Sequence, residues 1–105
     1  MHARISTYDL PEEHRSEGVR AFREALEAIA ECPGFTDGYY LVSCDGERAM
    51  TLTLWDTRAT MEASRVKASR VRSEAAGKTD GGVVSSEEFE VAVELSRPSA
   101  AQAHA

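Results

Sequence analysis

The side chains best suited to chemistry in this sequence are one tryptophan and three tyrosines. Trp55 could orient a planar molecule by stacking, or it could close the core against the helix that follows it. Tyr8, Tyr39 and Tyr40 could offer phenolic hydroxyls to a ligand or to a proton transfer, or they could pack in a barrel or an interface. Packing is the commoner role of large aromatic side chains, and binding of a small aromatic ligand is the functional alternative for this set.

The other polar residues do not combine into a metal, nucleophile or phosphate site. His2, His14 and His104 lie far apart, so no pair has the i,i+3 or i,i+4 spacing of metal ligands on a helix. No serine stands in a Gly-x-Ser-x-Gly turn, and no glycine-rich phosphate loop occurs. Cys32 and Cys44 match neither a redox motif nor a zinc knuckle, so we expect two free thiols. We predict no metal and no cofactor.

Composition limits the partners and the location. The 105 residues include 18 acidic and 12 basic side chains, which give a net charge of −6. That sign opposes contact with a phosphate backbone. No apolar run approaches the roughly 20 residues of a membrane span, and the first residues lack the apolar stretch of a signal peptide. We therefore expect a cytoplasmic protein with no nucleic-acid partner and no membrane partner.

Hydrophobic periodicity and turn residues divide the chain into four strands and two helices. The predicted elements are, in order, a strand over 2–8, a helix from Pro11 to Cys32, strands over 35–44 and 47–55, a helix from Asp56 or Thr57 to Gly77, and a strand over 88–95. The order βαββαβ predicts a ferredoxin-like α+β sandwich, in which two helices cover one face of a four-stranded antiparallel sheet.

The strongest local signal is the dipeptide Asp45-Gly46, which predicts a hairpin with a two-residue type I′ turn. Cys44 would then pair with Glu47, and counting back places Tyr39 opposite Leu52. The turn residues thereby predict the register of the whole hairpin.

The two faces of this sheet differ in polarity. Tyr39 and Leu52 belong to the more apolar face, which we expect to pack on the helices. The opposite face carries Tyr40, Thr51 and Glu90, and is too apolar for water yet too polar for a dry core. We expect a second copy of the sheet to cover it, which makes the protein a homodimer.

The chain is expected to form one domain over residues 1–96, followed by a disordered tail over 97–105. The outer side of the second helix is predicted to be a solvated basic face, formed by Arg58, Arg65, Lys67, Arg70 and Arg72.

Three short segments resemble a known family. They are Cys32-Pro33-Gly34-Phe35 after the first helix, Leu54-Trp55-Asp56-Thr57-Arg58-Ala59-Thr60-Met61 at a strand-to-helix corner, and Phe89-Glu90-Val91-Ala92-Val93-Glu94-Leu95 near the end. With the element order, they make residues 3–95 similar to the antibiotic-biosynthesis-monooxygenase-like domain of the dimeric α+β barrel superfamily.

The resemblance implies a homodimer whose two sheets face each other, with a small-molecule pocket between sheet and helices in each subunit. Family members oxidise polycyclic phenols or quinol-like substrates with oxygen and no cofactor, degrade haem, or have no established activity. The oxygenases typically use an asparagine, a tryptophan and a further polar or basic residue, and Trp55 matches the tryptophan. The haem degraders add a helix histidine, whose position would fall among Arg65, Lys67 and Arg70. This sequence has no asparagine and no histidine in its second helix, which disfavours haem ligation.

Two functions remain open. One is a cofactor-independent monooxygenase acting on a small aromatic or polycyclic metabolite, in which a tyrosine or Arg65 replaces the missing polar partner. The other is a non-catalytic small-molecule-binding or regulatory dimer, which the lack of asparagine favours. In either case the pocket is expected to be lined by Ile5, Phe22, Tyr39, Leu52, Trp55 and Met61.

Overall fold

Within the residues that the structure describes, the periodic segments of the sequence form four strands and three α-helices. The computed structural model of the protein describes residues 1–46 and 48–97. Its elements are β1 (His2–Asp9), a short 3-10 turn (Glu12–His14), α1 (Arg15–Ile29), β2 (Phe35–Val42), β3 (Ala49–Trp55), α2 (Arg58–Ala63), α3 (Arg65–Lys78) and β4 (Gly82–Glu90). The element order is the predicted one, except that the second helix is divided at Ser64.

The four strands form one antiparallel sheet in the order β2-β3-β1-β4. Phe22 and Ile29 of α1 are buried against one face of the sheet, together with Met61 of α2 and Ala68 of α3. The predicted ferredoxin-like α+β sandwich is therefore confirmed.

The β2–β3 hairpin has the predicted register but a longer loop. Tyr39 lies opposite Leu52, as expected. The Ser43 N–H donates to the Arg48 carbonyl at 2.9 Å, and the Gly46 N–H donates to the Ser43 carbonyl at 2.7 Å, so a turn spans residues 43–46; of the predicted turn pair, Gly46 has positive φ and Asp45 does not. Because a type I′ turn needs positive φ at both central residues, the predicted two-residue turn is wrong.

The last strand begins and ends earlier than the alternation over 88–95 predicted. Pairing with β1 stops at His2 opposite Glu90, because β1 itself begins there. Val93 and Leu95 continue the alternation in sequence, but they lie beyond the sheet and are exposed. The predicted bounds of this strand are wrong.

The sheet turns its faces the opposite way from the prediction. Tyr40 and Thr51 lie on the helix side, where the Tyr40 ring stacks on Phe22 of α1 at 4.8 Å. Trp55, the last residue of β3, is buried with Met61 of α2 and Ala68 of α3, and this fixes which side of β3 faces the helices. The face away from the helices, called the open face below, carries Ala3, Ile5, Tyr39, Leu41, Met50, Leu52, Leu54 and Phe89.

Two predictions fall outside the described residues. The predicted pairing of Cys44 involves residue 47, which is not described. Of the predicted disordered tail over 97–105, only Arg97 is described. Both stay predictions. Cys32 and Cys44 are free thiols, as predicted.

Gly34 holds the start of α2 against the connection between α1 and β2. It has a φ of 84°, and a Cβ placed on it would lie 2.3 Å from Oγ1 of Thr60. We expect Gly34→Ala to lower the free energy of unfolding by about 2 kcal/mol or more, from left-handed strain and this clash. Chemical denaturation measures the change.

The matched control is Gly77→Ala, because a Cβ at Gly77 in α3 meets nothing within 4 Å. There the substitution should raise stability by roughly 0.5–1 kcal/mol through helix propensity. Equal effects of the two substitutions would contradict the assigned role of Gly34.

Candidate functional site

The helix side of the sheet holds polar side chains where a small domain would ordinarily place an apolar core. Polar groups are buried at low cost only when they find hydrogen-bond partners, so their arrangement is informative. These residues, called the polar layer below, are Arg4, Ser6, Tyr8, Thr51, Thr53, Ser64 and Arg72, with Ser86 and Glu88 at the edge.

Arg4 stands at the centre of the polar layer with only 2% of its surface exposed. Its Nη2 donates to the Met61 carbonyl at 2.7 Å and its Nη1 to Ser64 Oγ at 3.1 Å. Nε and Nη2 also donate to Glu88 Oε2, at 3.2 and 2.8 Å. The guanidinium carbon lies 5.6 Å from the centre of the Trp55 ring, within cation–π range. Arg4 thus ties β1 to β4 and to the helices.

The contact with Arg4 coincides with the interruption between α2 and α3. Ser64 Oγ donates to the Met61 carbonyl at 2.7 Å, the same oxygen that Arg4 contacts. Side-chain donors that compete for a helix carbonyl bend helices. This explains why the predicted single helix is divided at Ser64.

Glu88 accepts hydrogen bonds from two arginines. Arg65 Nε lies 3.1 Å from each carboxylate oxygen of Glu88, and Arg65 Nη2 also donates to Oε1. Arg4 Nη2 donates to Oε2. The hydrogen bonds from Arg65, followed by those from Arg4, hold the pKa of Glu88 at about 2, although burial acts in the opposite direction. Glu88 is therefore a carboxylate at neutral pH and is poorly suited to act as a general base.

Hydroxyl groups make up the middle of the polar layer. Ser6 Oγ lies 2.9 Å from Ser86 Oγ, and the Tyr8 hydroxyl lies 2.7 Å from Thr51 Oγ1. Burial raises the pKa of Tyr8, against the lowering effect of its hydrogen bond to Thr51. At neutral pH Tyr8 is therefore a neutral phenol that can donate or accept a hydrogen bond.

Arg72 departs from the predicted solvated basic face of the second helix. It is buried, and its Nη2 lies 3.4 Å from Ser86 Oγ. Nε and Nη1 have no hydrogen-bond partner among the described residues. Of the same predicted row, Arg58, Arg65 and Arg70 are exposed. The prediction was wrong for Arg72 because its spacing from Ala68 and Ala75 places it on the buried side of α3.

Trp55 is buried at the corner between β3 and α2. Its Nε1 donates to Thr53 Oγ1 at 3.0 Å, and Phe35 packs edge-on against the ring at 5.6 Å. Trp55 therefore closes the core against the helix that follows it, and its ring also lies beside the Arg4 cation of the polar layer.

The structure does not bring the six predicted pocket residues together. Phe22, Trp55 and Met61 lie buried on the helix side. The sheet itself separates them from the other three, Ile5, Tyr39 and Leu52, which belong to the open face.

Sequence reasoning missed Arg4, Ser6 and Arg72. The two-residue period of a strand places Trp55 on the same side of β3 as Thr51. A large apolar residue at the end of a strand, shortly before a helix, packs beneath that helix. These two signals together could have identified the helix side, and with it Arg4 and Ser6.

Open space near the polar layer is found between α1 and β2. A groove of about 630 Å³ there has a mixed lining, in which apolar and aromatic side chains stand beside charged ones: Val19, Leu26, Phe35 and Tyr40, with Arg23, Glu27 and Asp37. Tyr40 stacks on Phe22, whose ring lies 4.5 Å from that of Tyr8. An aromatic stack therefore connects the groove with the polar layer.

The part of the chain that the structure describes offers neither a membrane-spanning helix nor a metal-binding cluster. None of its helices is long and apolar enough to cross a membrane. Within the same part of the chain, no three histidine, cysteine, aspartate or glutamate side chains are grouped so that they could hold a metal ion. The predicted cytoplasmic location and the predicted lack of a nucleic-acid partner stay predictions.

The sequence matches no family model and has no significant match among curated proteins. Solved structures match most of the chain. SnoaB, a cofactor-independent oxygenase from Streptomyces nogalater, aligns with a TM-score of 0.73 and 12% identity over 91% of this chain and 97% of SnoaB. A candidate antibiotic biosynthesis monooxygenase from Deinococcus radiodurans aligns with a TM-score of 0.74 and 11% identity over 94% of this chain and 100% of the other.

A variant of MhuD crystallised with manganese protoporphyrin IX aligns with a TM-score of 0.71 and 21% identity, over 92% of this chain and 100% of MhuD. At these identities the likeness defines the fold. The chain has the ferredoxin-like α+β fold of antibiotic-biosynthesis-monooxygenase-domain proteins, and the resemblance predicted from its sequence is confirmed at that level.

Replacing Glu88 by glutamine should destabilise the protein, because Arg4 would remain buried without its ionic partner. We expect a loss of about 2 kcal/mol at neutral pH, less than the roughly 3–5 kcal/mol of a fully buried pair, since Glu88 is partly exposed. The pKa of Glu88 is depressed in the folded protein, so the ionic contribution is complete above its ordinary value of 4.5 and is lost as the pH falls towards 2.

Urea denaturation of both proteins at a series of pH values measures this difference. Glu90→Gln on the same strand is the control, and should change stability little because Glu90 is exposed. A difference between wild type and Glu88→Gln that did not depend on pH would contradict the ionic role.

Proposed function

We propose that the protein is an antibiotic-biosynthesis-monooxygenase-like homodimer that binds a small aromatic or polycyclic metabolite on the helix side of its sheet and oxidises it with oxygen. The observation that carries this proposal is Trp55, buried beside Arg4 in a fold shared with the oxygenase SnoaB. In such a reaction one oxygen atom enters the substrate and the other leaves as water. The substrate supplies the electrons, so neither a metal nor a flavin is required.

The groove between α1 and β2 is the proposed entrance. Its volume of about 630 Å³ is within the usual range for a small-molecule site, and the apolar and aromatic residues of its mixed lining suit a ring system. A ligand that displaces Tyr40 would reach Phe22 and then Tyr8 along the aromatic stack. The contribution of the protein would be to orient the ligand and exclude water around it.

A second candidate is a non-catalytic binding or regulatory dimer with the same site. It is favoured by the acid–base state of the polar layer, in which Glu88 is held ionised by two arginines and Tyr8 is held neutral by burial. Neither group is a ready base at neutral pH. The two candidates predict the same ligand and differ only in turnover.

Haem chemistry is not assigned to this chain. MhuD binds a porphyrin in the same fold, but α2 and α3 contain no histidine. The place between them and the sheet is filled by Arg4, each of whose guanidinium nitrogens already has a hydrogen-bond partner. These residues do not fit an iron ligand at that position.

The open face is the proposed dimer interface, in place of the face first expected. Tyr39, Leu41 and Phe89 are each between 44% and 48% exposed, although they are large and apolar. A contiguous apolar surface of this kind on a small domain marks an interaction site. A second copy of the sheet would cover it, with more than about 1,000 Å² buried in total.

Oxygen uptake with a panel of anthrones and hydroquinones tests the activity. We expect Trp55→Phe and Tyr8→Phe each to lower the rate by about tenfold or more, because they alter the ring and the hydroxyl that would meet the substrate. Tyr39→Phe, which also removes one hydroxyl but lies on the open face, should leave the rate unchanged.

Binding of these compounds without any uptake would leave the non-catalytic dimer as the function. Loss of uptake in Tyr39→Phe, with Tyr8→Phe unaffected, would place the site on the other side of the sheet.

Sedimentation tests the dimer. We expect a species of twice 11.5 kDa for the wild type and a monomer for Leu52→Glu, because a charge in the middle of the open face would be buried without a partner. Val66→Glu is the control, since Val66 lies on α3 and is 85% exposed. A monomeric wild type at high concentration would contradict the proposed interface.

A further inference from the structure

Arg72 is the member of the polar layer whose charge has no ionic partner among the described residues. Its one contact in the layer is the long hydrogen bond from Nη2 to Ser86 Oγ, at 3.4 Å. Nε and Nη1 are buried, and neither has an acceptor within residues 1–46 and 48–97. A guanidinium cannot shed its proton at neutral pH, so Arg72 is a fixed positive charge with unused donors.

The charges of the polar layer do not balance. Its one carboxylate, Glu88, already accepts hydrogen bonds from both Arg4 and Arg65. Two buried guanidinium groups, those of Arg4 and Arg72, therefore face one carboxylate that a third arginine shares. A buried charge without a partner lowers stability, and burial also lowers the pKa of Arg72. The layer lacks one negative charge beside Arg72.

The groups around Arg72 are hydroxyls. Ser86, which Arg72 contacts, shares a hydrogen bond with Ser6, and the Tyr8 hydroxyl pairs with Thr51. Each hydroxyl can rotate its hydrogen towards a new acceptor. A guanidinium with unused donors, beside hydroxyls that can also donate and with no free carboxylate, suits an anion.

We propose that Arg72 is the receptor for an ionised oxygen, a phenolate or a carboxylate, carried by the aromatic ligand of this site. The inference rests on the proposed function, since it names the chemical class of that same ligand. The oxygen would accept hydrogen bonds from the free donors of Arg72 and from the Ser86 hydroxyl, while the ring lies among the aromatic residues of the helix side. A phenol bound in this way would be held in its deprotonated, electron-rich form.

The packing of α3 is compatible with admission of such a ligand. The buried residues of α3 other than Arg72 are Ala68, Ala75 and Ala76. Each alanine buries little apolar surface, so small shifts of α3 cost less than they would for a helix anchored by leucines.

Three probes test the proposal in the full-length protein: 2-naphthoate, its neutral isostere 2-naphthamide, and 4-nitrophenol. Binding is measured by calorimetry for the first two. For 4-nitrophenol it is measured by the growth of the phenolate absorption band at a pH just below the pKa of the free probe. The variants are Arg72→Gln, Arg72→Met and the control Arg70→Gln, which removes an exposed arginine of the same helix.

We expect the wild type and Arg70→Gln to bind 2-naphthoate more tightly than 2-naphthamide and to induce the phenolate band. Arg72→Gln and Arg72→Met should weaken naphthoate binding by about tenfold or more, which corresponds to roughly 1.4 kcal/mol, near the lower limit for a hydrogen bond to a charged group. Without ligand, Arg72→Met should melt at a higher temperature than the wild type, because it removes an unpaired buried charge. A response to naphthoate alone identifies a carboxylate ligand, and a response to nitrophenol alone identifies a phenolate.

Equal binding of naphthoate by the wild type and both Arg72 variants would overturn the proposal, as would Arg72→Met melting at a lower temperature than the wild type. If naphthamide still binds when the Arg72 substitutions have no effect on naphthoate, the aromatic binding site of the proposed function is supported and only the role of Arg72 is rejected. If none of the probes binds the wild type, the receptor and the proposed binding site fall together.

Discussion

The burial of Arg4 is the constraint on which the rest of the structure depends. Arg4 is only 2% exposed, and each of its three guanidinium nitrogens has a hydrogen-bond partner, in β4, in α2 or at Ser64 between α2 and α3. Glu88 fixes the position of β4, while the Met61 carbonyl and Ser64 fix the point at which the second helix divides. Trp55 lies against the same cation. One strand residue thus determines how β4, α2 and α3 meet the sheet.

The same constraint explains the reversed polarity of the sheet. Because Arg4, Ser6 and Tyr8 occupy the helix side of β1, the intervening positions of β1 must face the other way. Pairing with β3 then aligns Ile5 with Leu52 on the open face. The hydroxyls and guanidinium groups of the polar layer therefore lie inside the domain, and the apolar side chains of the open face lie outside. That arrangement is favourable only if something apolar covers the row.

The element order and the hairpin register could be predicted because hydrophobic periodicity and turn residues are local features of the sequence. The hairpin register survived a wrong turn type, because Ser43 opposite Arg48 belongs to the same ladder as Tyr39 opposite Leu52. The orientation of the sheet could not be read from hydrophobicity, since the more apolar row faces away from the helices. Arg72 escaped prediction because long basic side chains on a helix are ordinarily solvated, and its hydrogen-bond partner Ser86 belongs to a different element of the fold.

The link from Arg4 through Glu88 to Arg65 joins the interior to the surface. Arg65 is about half exposed and belongs to a face of α3 that is open to water, yet its charge helps to set the ionisation of a carboxylate on which a buried cation depends. Tolerance to substitution is commonly ranked by exposure, and such a ranking would treat Arg65 as freely variable. In this protein we expect that ranking to be wrong for Arg65. Because its charge pairs with Glu88, substitutions at the two positions should be correlated among related sequences.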